Sequence, residues 1–204
     1  MNSEEGLFPR WCHLCIDMQR MFAEETPWHV DWMPRIIDNV GRVIESSPHT
    51  TIFTRFIPPP DADAASGRWG RYYEKWWMMT GEYLRPEMTD IVREFAGYVP
   101  PAEEFLKTTY SPWTDGRLHR KLVGQGVGTL VISGGETDVC VLATVLGAVD
   151  LGYRIFLLED AVCSARDATH DASLTVLRGR FAAQLTLVST QDWLQAKEEF
   201  LRSD

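Results

Sequence analysis

Of the four cysteines in this 204-residue chain, one stands where a sulfur could act as a nucleophile. Cys140 follows an apolar run at 129–133, a Gly134-Gly135 pair and the polar Glu136-Thr137-Asp138. The run predicts a buried strand, the glycines a turn, and Thr137 or Asp138 the N-cap of a helix over 138–151. Cys140 then falls in the first helical turn at the carboxyl end of a strand, the edge where open α/β sheets bind ligands. The positive end of the helix dipole favours a thiolate there. The same first-turn amides can receive the oxyanion formed when a carbonyl is attacked. The dipole contributes only ~0.3–1 kcal/mol, under one pKa unit, so a thiolate at neutral pH needs a cation as well. A cysteine in a buried helix can also be a small hydrophobe; strand end, glycine turn and helix start together favour the nucleophile.

Two further residues could complete such a site. Asp17 ends an apolar segment at 11–17, and Lys107 ends a short strand candidate at 103–107. Taken singly, the first reads as a helix N-cap and the second as a surface lysine. Taken together, three strand ends supply a nucleophile, a positive charge beside it, and a carboxylate able to move protons to a leaving nitrogen and from water.

The elements that must position them alternate along the chain. Strands are predicted at 11–17, 50–55, 103–107, 129–133, 153–158 and 184–188, and helices at 31–46, 115–123, 138–151, 168–178 and 190–201. Apolar strands separated by helices predict a three-layer α-β-α domain over 1–204 with a central, mostly parallel sheet. Residues 56–100 interrupt this pattern with prolines and aromatics (Trp69, Tyr72, Tyr73, Trp76, Trp77, Tyr83) and are expected to form a lid or an interface.

The residues that carry this chemistry also carry a resemblance. The segments IDMQRMF, KTTYSPW and GGETDVCVLAT…AVDLGYRIFLLEDAVCS resemble the isochorismatase-like cysteine hydrolases over nearly the whole chain. The resemblance implies that Asp17, Lys107 and Cys140 are a catalytic triad. It also implies a cis Gly135–Glu136 peptide that turns the Glu136 amide, with that of Cys140, towards the oxyanion. A Cys140 thiolate paired with Lys107 would attack the carbonyl, Asp17 would protonate the departing amine, and water would release the acid from a thioester. Small carbamoyl, ureido or primary amide compounds are the implied substrates. A cyclic imide, lactam or ester handled by the same thioester, or a silent oligomeric scaffold, remain as alternatives. Homodimers and homotetramers are common in the family.

Candidate substrate-binding residues are Gln19, expected to orient the Asp17 end of the site, with Phe22, Trp76, Tyr110 and Trp113. Arg55 is divided between a substrate carboxylate and a surface acid. No metal or other cofactor is expected. Nicotinamidases of the family place an Asp and two His after the second strand, and this chain has no histidine between Arg55 and His119. His170 reads as structural rather than catalytic. Cys12-x-x-Cys15 invites a redox or zinc reading, but within a strand the two side chains point to opposite faces. Gly124-Gln125-Gly126-Val127-Gly128 follows a helix and precedes a strand, the reverse of a phosphate loop.

A net charge of −9 argues against nucleic acid and anionic membranes as partners. No apolar run approaches a bilayer span, and the acidic opening MNSEEGLFPR lacks the character of a signal peptide. A cytoplasmic protein with reduced thiols and a small-molecule substrate is the expectation.

Overall fold

The computed structural model describes residues 10–203, with side chains through 198; most of the acidic opening lies outside the described residues. Six strands form one sheet: β1 (Trp11–Ile16), β2 (Thr51–Phe56), β3 (Glu103–Lys107), β4 (Thr129–Gly135), β5 (Arg154–Cys163) and β6 (Leu185–Val188). Their order is β3-β2-β1-β4-β5-β6, and all neighbours are parallel. Strands 1 to 3 therefore grow one way and strands 4 to 6 the other, which opens a crevice beyond the carboxyl ends of β1 and β4.

The alternation of side chains along each strand divides the core in two. Cys15, Phe53, Val131, Phe156 and Leu158 face α2 (Met33–Ser46) and α8 (Thr190–Ser203). The stripe Ile36, Val40, Val43 and Ile44 of α2 closes over them. Cys12, Leu14, Ile16, Leu130, Ile132, Ile155 and Leu157 face the opposite layer. That layer holds α5 (Arg117–Gly124), α6 (Leu142–Asp150) and α7 (Asp167–Arg180). Cys12 and Cys15 thus lie in different clusters, on opposite faces of β1, as the strand period requires.

Three local departures matter. β5 runs on to Cys163 rather than stopping at Leu158, with a register break where Ile132 pairs with Leu157 but Gly134 with Val162. Helix α6 starts at Leu142, not 138, because residues Thr137–Val141 form a wider π-type turn. The segment between β2 and β3 holds more helix than a turn or two: α3 (Arg68–Lys75), α4 (Arg93–Ala96) and short 3₁₀ turns. A short helix, α1 (Arg20–Ala23), follows β1. No helix among the described residues is long and apolar enough to cross a membrane.

Candidate active site

Asp17 is the first residue beyond β1 and has a left-handed φ of 47°, a conformation aspartate tolerates. Its amide donates to the Thr54 carbonyl at 3.2 Å and to Thr54 Oγ1 at 3.1 Å. The Thr54 hydroxyl donates to Asp17 Oδ1 at 2.6 Å, so the neighbouring strand β2 orients the carboxylate. Lys107, the last residue of β3, reaches across β2 and donates from Nζ to Asp17 Oδ2 at 2.6 Å. It also donates to the Thr109 carbonyl at 3.1 Å and sits 5.2 Å from the Phe56 ring centroid. Both members of the pair are buried.

Cys140 approaches from β4. Gly134 has φ +107°, and a Cβ there would lie 2.1 Å from the Ile16 carbonyl oxygen. Only glycine lets β4 run this close to the end of β1. The Gly135–Glu136 peptide is cis, and the turn that follows sets the Cys140 thiol against Lys107 and Asp17, with Asp17 as its hydrogen-bond partner. The structure thus brings together the three residues that sequence reasoning selected.

Their electrostatics differ from the expectation of a preformed thiolate. Burial pushes the Cys140 thiol well above its ordinary pKa. Lys107 pulls it down, but Asp17 and Glu136 push the same way as burial. Lys107 itself is opposed by burial, which the Asp17 carboxylate and the neighbouring Cys140 sulfur outweigh, so its pKa is raised and it stays charged. The cation beside the sulfur is already matched by a carboxylate, and that carboxylate is placed to take the thiol's proton.

The expected N-caps also serve elsewhere, and no side chain caps the turn. Thr137 Oγ1 is bonded to His170 Nδ1 at 2.9 Å, which gives His170 a structural place. Asp138 Oδ1 accepts from Ser164 Oγ at 2.5 Å.

The thiol opens into a cavity of about 370 Å³. Phe22, Trp76 and Tyr110 line it, as sequence reasoning expected. Trp28, Phe56, Tyr72 and the side chain of Glu136 line it too, and these were missed. Trp28 is the hub of this wall, with ring centroids of Phe22, Phe56, Tyr72, Tyr73 and Trp76 all 6.0–6.4 Å away. Tyr72 and Tyr110 are joined through their hydroxyls. A density of aromatics in 22–28 and 69–76 was the available signal.

Three candidate substrate contacts lie away from the cavity lining, and Arg55 takes the second of its two expected partners, a surface acid. Trp113 packs instead on α6, where its ring is 2.3 Å from a Cβ placed on Gly147, and its Nε1 donates to the Thr144 carbonyl at 2.8 Å. Arg55 points along the sheet surface to Glu104 at 2.9 Å, Asp90 at 3.0 Å and the Thr89 carbonyl at 2.9 Å. Gln19 is fully buried and bonds the backbone of Phe56 at both its amide (2.7 Å) and carbonyl (3.0 Å), and the Thr89 carbonyl at 2.7 Å. It holds the end of β2 rather than a ligand. Outside the cavity, Trp77 stacks edge-on with Tyr83, and both are about half exposed.

Among the described residues no group of three or more His, Cys, Asp or Glu could hold a metal ion. The end of β2 carries Arg55 and Phe56 instead. The residues present do not fit the metal site of nicotinamidases.

A parallel sheet in this order with Cys, Asp and Lys at its switch point defines a class, and residues 12–189 match the Isochorismatase domain. The chain belongs to that family. It is 28% identical over 176 residues to nicotinamidase 3 of Arabidopsis thaliana, covering 83% of this chain and 81% of that one. A probable inactive nicotinamidase of the same plant is 29% identical over 172 residues, covering 79% and 84% of the two chains. A crystallised cysteine hydrolase from Pseudomonas syringae pv. phaseolicola 1448A superposes with a TM-score of 0.80 at 19% identity, over 96% of this chain and 99% of that one.

Proposed function

We propose that the chain is a cysteine-dependent hydrolase of small amide, carbamoyl or ureido carbon–nitrogen bonds. The meeting of Asp17, Lys107 and Cys140 at the β1/β4 crevice carries this reading. As the Cys140 sulfur attacks the carbonyl, its proton passes to Asp17, the hydrogen-bonded base. Lys107 keeps Asp17 oriented and balances the charge that migrates between carboxylate and sulfur. The amides of Glu136 and Cys140 receive the oxyanion. Asp17 then gives its proton to the leaving nitrogen, and a thioester remains. A water entering the vacated space loses a proton to Asp17 and attacks the thioester. The acid departs, and the thiolate recovers the proton from Asp17.

Ammonia release from a panel of primary amides and ureas tests this, with trapping of the thioester by intact mass. Turnover absent in Cys140→Ala, together with an acyl adduct on Cys140 in the native chain, is the expected result. Turnover that survives in Cys140→Ala would sink the thioester route. A chain that turns over nothing and traps no acyl group would instead be a silent member, as the name of one relative suggests for that protein.

A further inference from the structure

The cavity over Cys140 is lined by a carboxylate that neither the fold nor the proposed reaction accounts for. Glu136 supplies a backbone amide to the oxyanion, yet its side chain also lines the cavity. Its only hydrogen bond among the described residues is from the Ala165 amide to Oε1, at 3.3 Å. No ion-pair partner for it is found among the described residues, and the charge that bears on its titration is a further acid, Asp138. Burial raises its pKa, and Asp138 adds to that. A carboxylate taken from water without a counter-ion is costly unless a ligand supplies one.

Much of the rest of the lining is aromatic. Trp28, Tyr72 and Trp76 meet at centroid distances of 6.0–6.5 Å, and Phe56 and Tyr110 stack beside them at 6.4 Å. Ring faces around a carboxylate attract a cation twice, by quadrupole and by charge, most strongly where water is excluded. Against this stand Arg166 and His29 at the rim and Lys75, whose Nζ lies 5.0 Å from the Trp76 ring centroid, but all three are exposed, where solvent and salt screen them. His29 is also 3.3 Å from Asp31.

We propose that the cavity selects amides bearing a cationic head group, an ammonium or amidinium, with the Glu136 carboxylate as counter-charge and the Trp28, Tyr72 and Trp76 rings as its wall. The inference rests on the hydrolase reading for its reaction, but not for its binding.

Three amides of similar size separate the possibilities: trimethylammonio-acetamide, its neutral isostere 3,3-dimethylbutanamide, and the anionic succinamate. For the native chain, kcat/KM for the cation should exceed that for the isostere by at least about tenfold. The ratio should fall towards one in Glu136→Gln, and part of the way in Trp76→Leu, which keeps the carboxylate and loses a ring. Turnover with no cation preference, or with succinamate preferred, would overturn the inference and leave the hydrolase reading intact. Binding to Cys140→Ala, followed calorimetrically, covers the remaining outcomes. Cation-selective binding without turnover in the native chain would sink the hydrolase reading and keep this one; no binding of the cation would overturn this one.

Discussion

The floor and the wall of the cavity are built by different means. Floor groups stand at the ends of strands: Asp17 is held by Thr54 and Lys107, Cys140 by a glycine turn that admits no side chain, Glu136 by a backbone amide. Each is fixed by hydrogen bonds or by backbone contact. The wall is held mainly by ring contacts, with Trp28 touching five other aromatics, Tyr72 on α3 and Trp76 at its C-cap. Ring packing is broad in its energy minima and tolerates substitution. The comparison teaches where precision is needed: proton transfer and attack demand it, while recognition of a head group does not.

Replacing a floor group should therefore be far more damaging than replacing a wall group. Asp17→Asn should lower amide turnover by at least about 10³-fold. It also separates two pictures of the sulfur. If the resting group is a thiol that needs Asp17 as base, iodoacetamide alkylation of Cys140 slows in this variant. If Lys107 already holds a thiolate, removal of the carboxylate's charge would speed it, so faster labelling would overturn the picture drawn here.

Next in size is the strand contact that sets the floor. Gly134→Ala places a methyl into the Ile16 carbonyl at a left-handed φ. It should cost about 4 kcal/mol or more, read as loss of soluble folded protein or a large fall in the urea midpoint. Beneath the floor, burial lowers the pKa of His13 from 6.5 to about 3, where it bridges Thr51 Oγ1 and Ser133 Oγ. Between those values the unfolded chain binds a proton that the folded chain does not, so stability falls as pH drops through 6.5 towards 3. The slope is about 1.4 kcal/mol per pH unit, and urea unfolding across that range should show it flattened in His13→Asn.

Wall changes come last. Trp28→Ala should raise KM roughly tenfold while kcat changes less than about threefold, in steady-state assays of the best amide. A collapse of kcat to the Asp17→Asn level would erase the distinction between floor and wall. Arg55→Ala should cost only about 1 kcal/mol of stability and leave KM unchanged, because its partners are Asp90 and Glu104 rather than a ligand.

The strands and the three floor residues were legible because they obey periodicity and sit at strand ends. The apolar run that predicts β5 stops at Leu158, before the charged Glu159 and Asp160, while the strand itself continues to Cys163. In the structure Glu159 pairs with Arg178, and Asp160 accepts from the Thr190 amide and hydroxyl, so the charges are matched beside the sheet. Trp113 misled because nearness to Lys107 in sequence was taken for nearness to the cavity. Gly147, in the middle of α6, was the overlooked sign that a large ring lies against that helix. The raised thiol pKa could not be read at all: it comes first from burial and then from Asp17 offsetting the pull of Lys107, neither visible along the chain.

One consequence follows from where the aromatic segment is spliced. It leaves the sheet at Phe56 and returns at Glu103, two strands that lie side by side, with the Ile57 amide bonded to the Lys107 carbonyl at 2.8 Å. Its two ends lie at opposite ends of that parallel ladder: Phe56 pairs with Lys107, whereas Glu103 pairs with Ile52 at the start of β2. Any replacement for residues 57–102 must span that return along the sheet, and beyond that reach added length costs loop entropy only slowly. A graft of this stretch from a relative would transplant taste while the chemistry stayed at home.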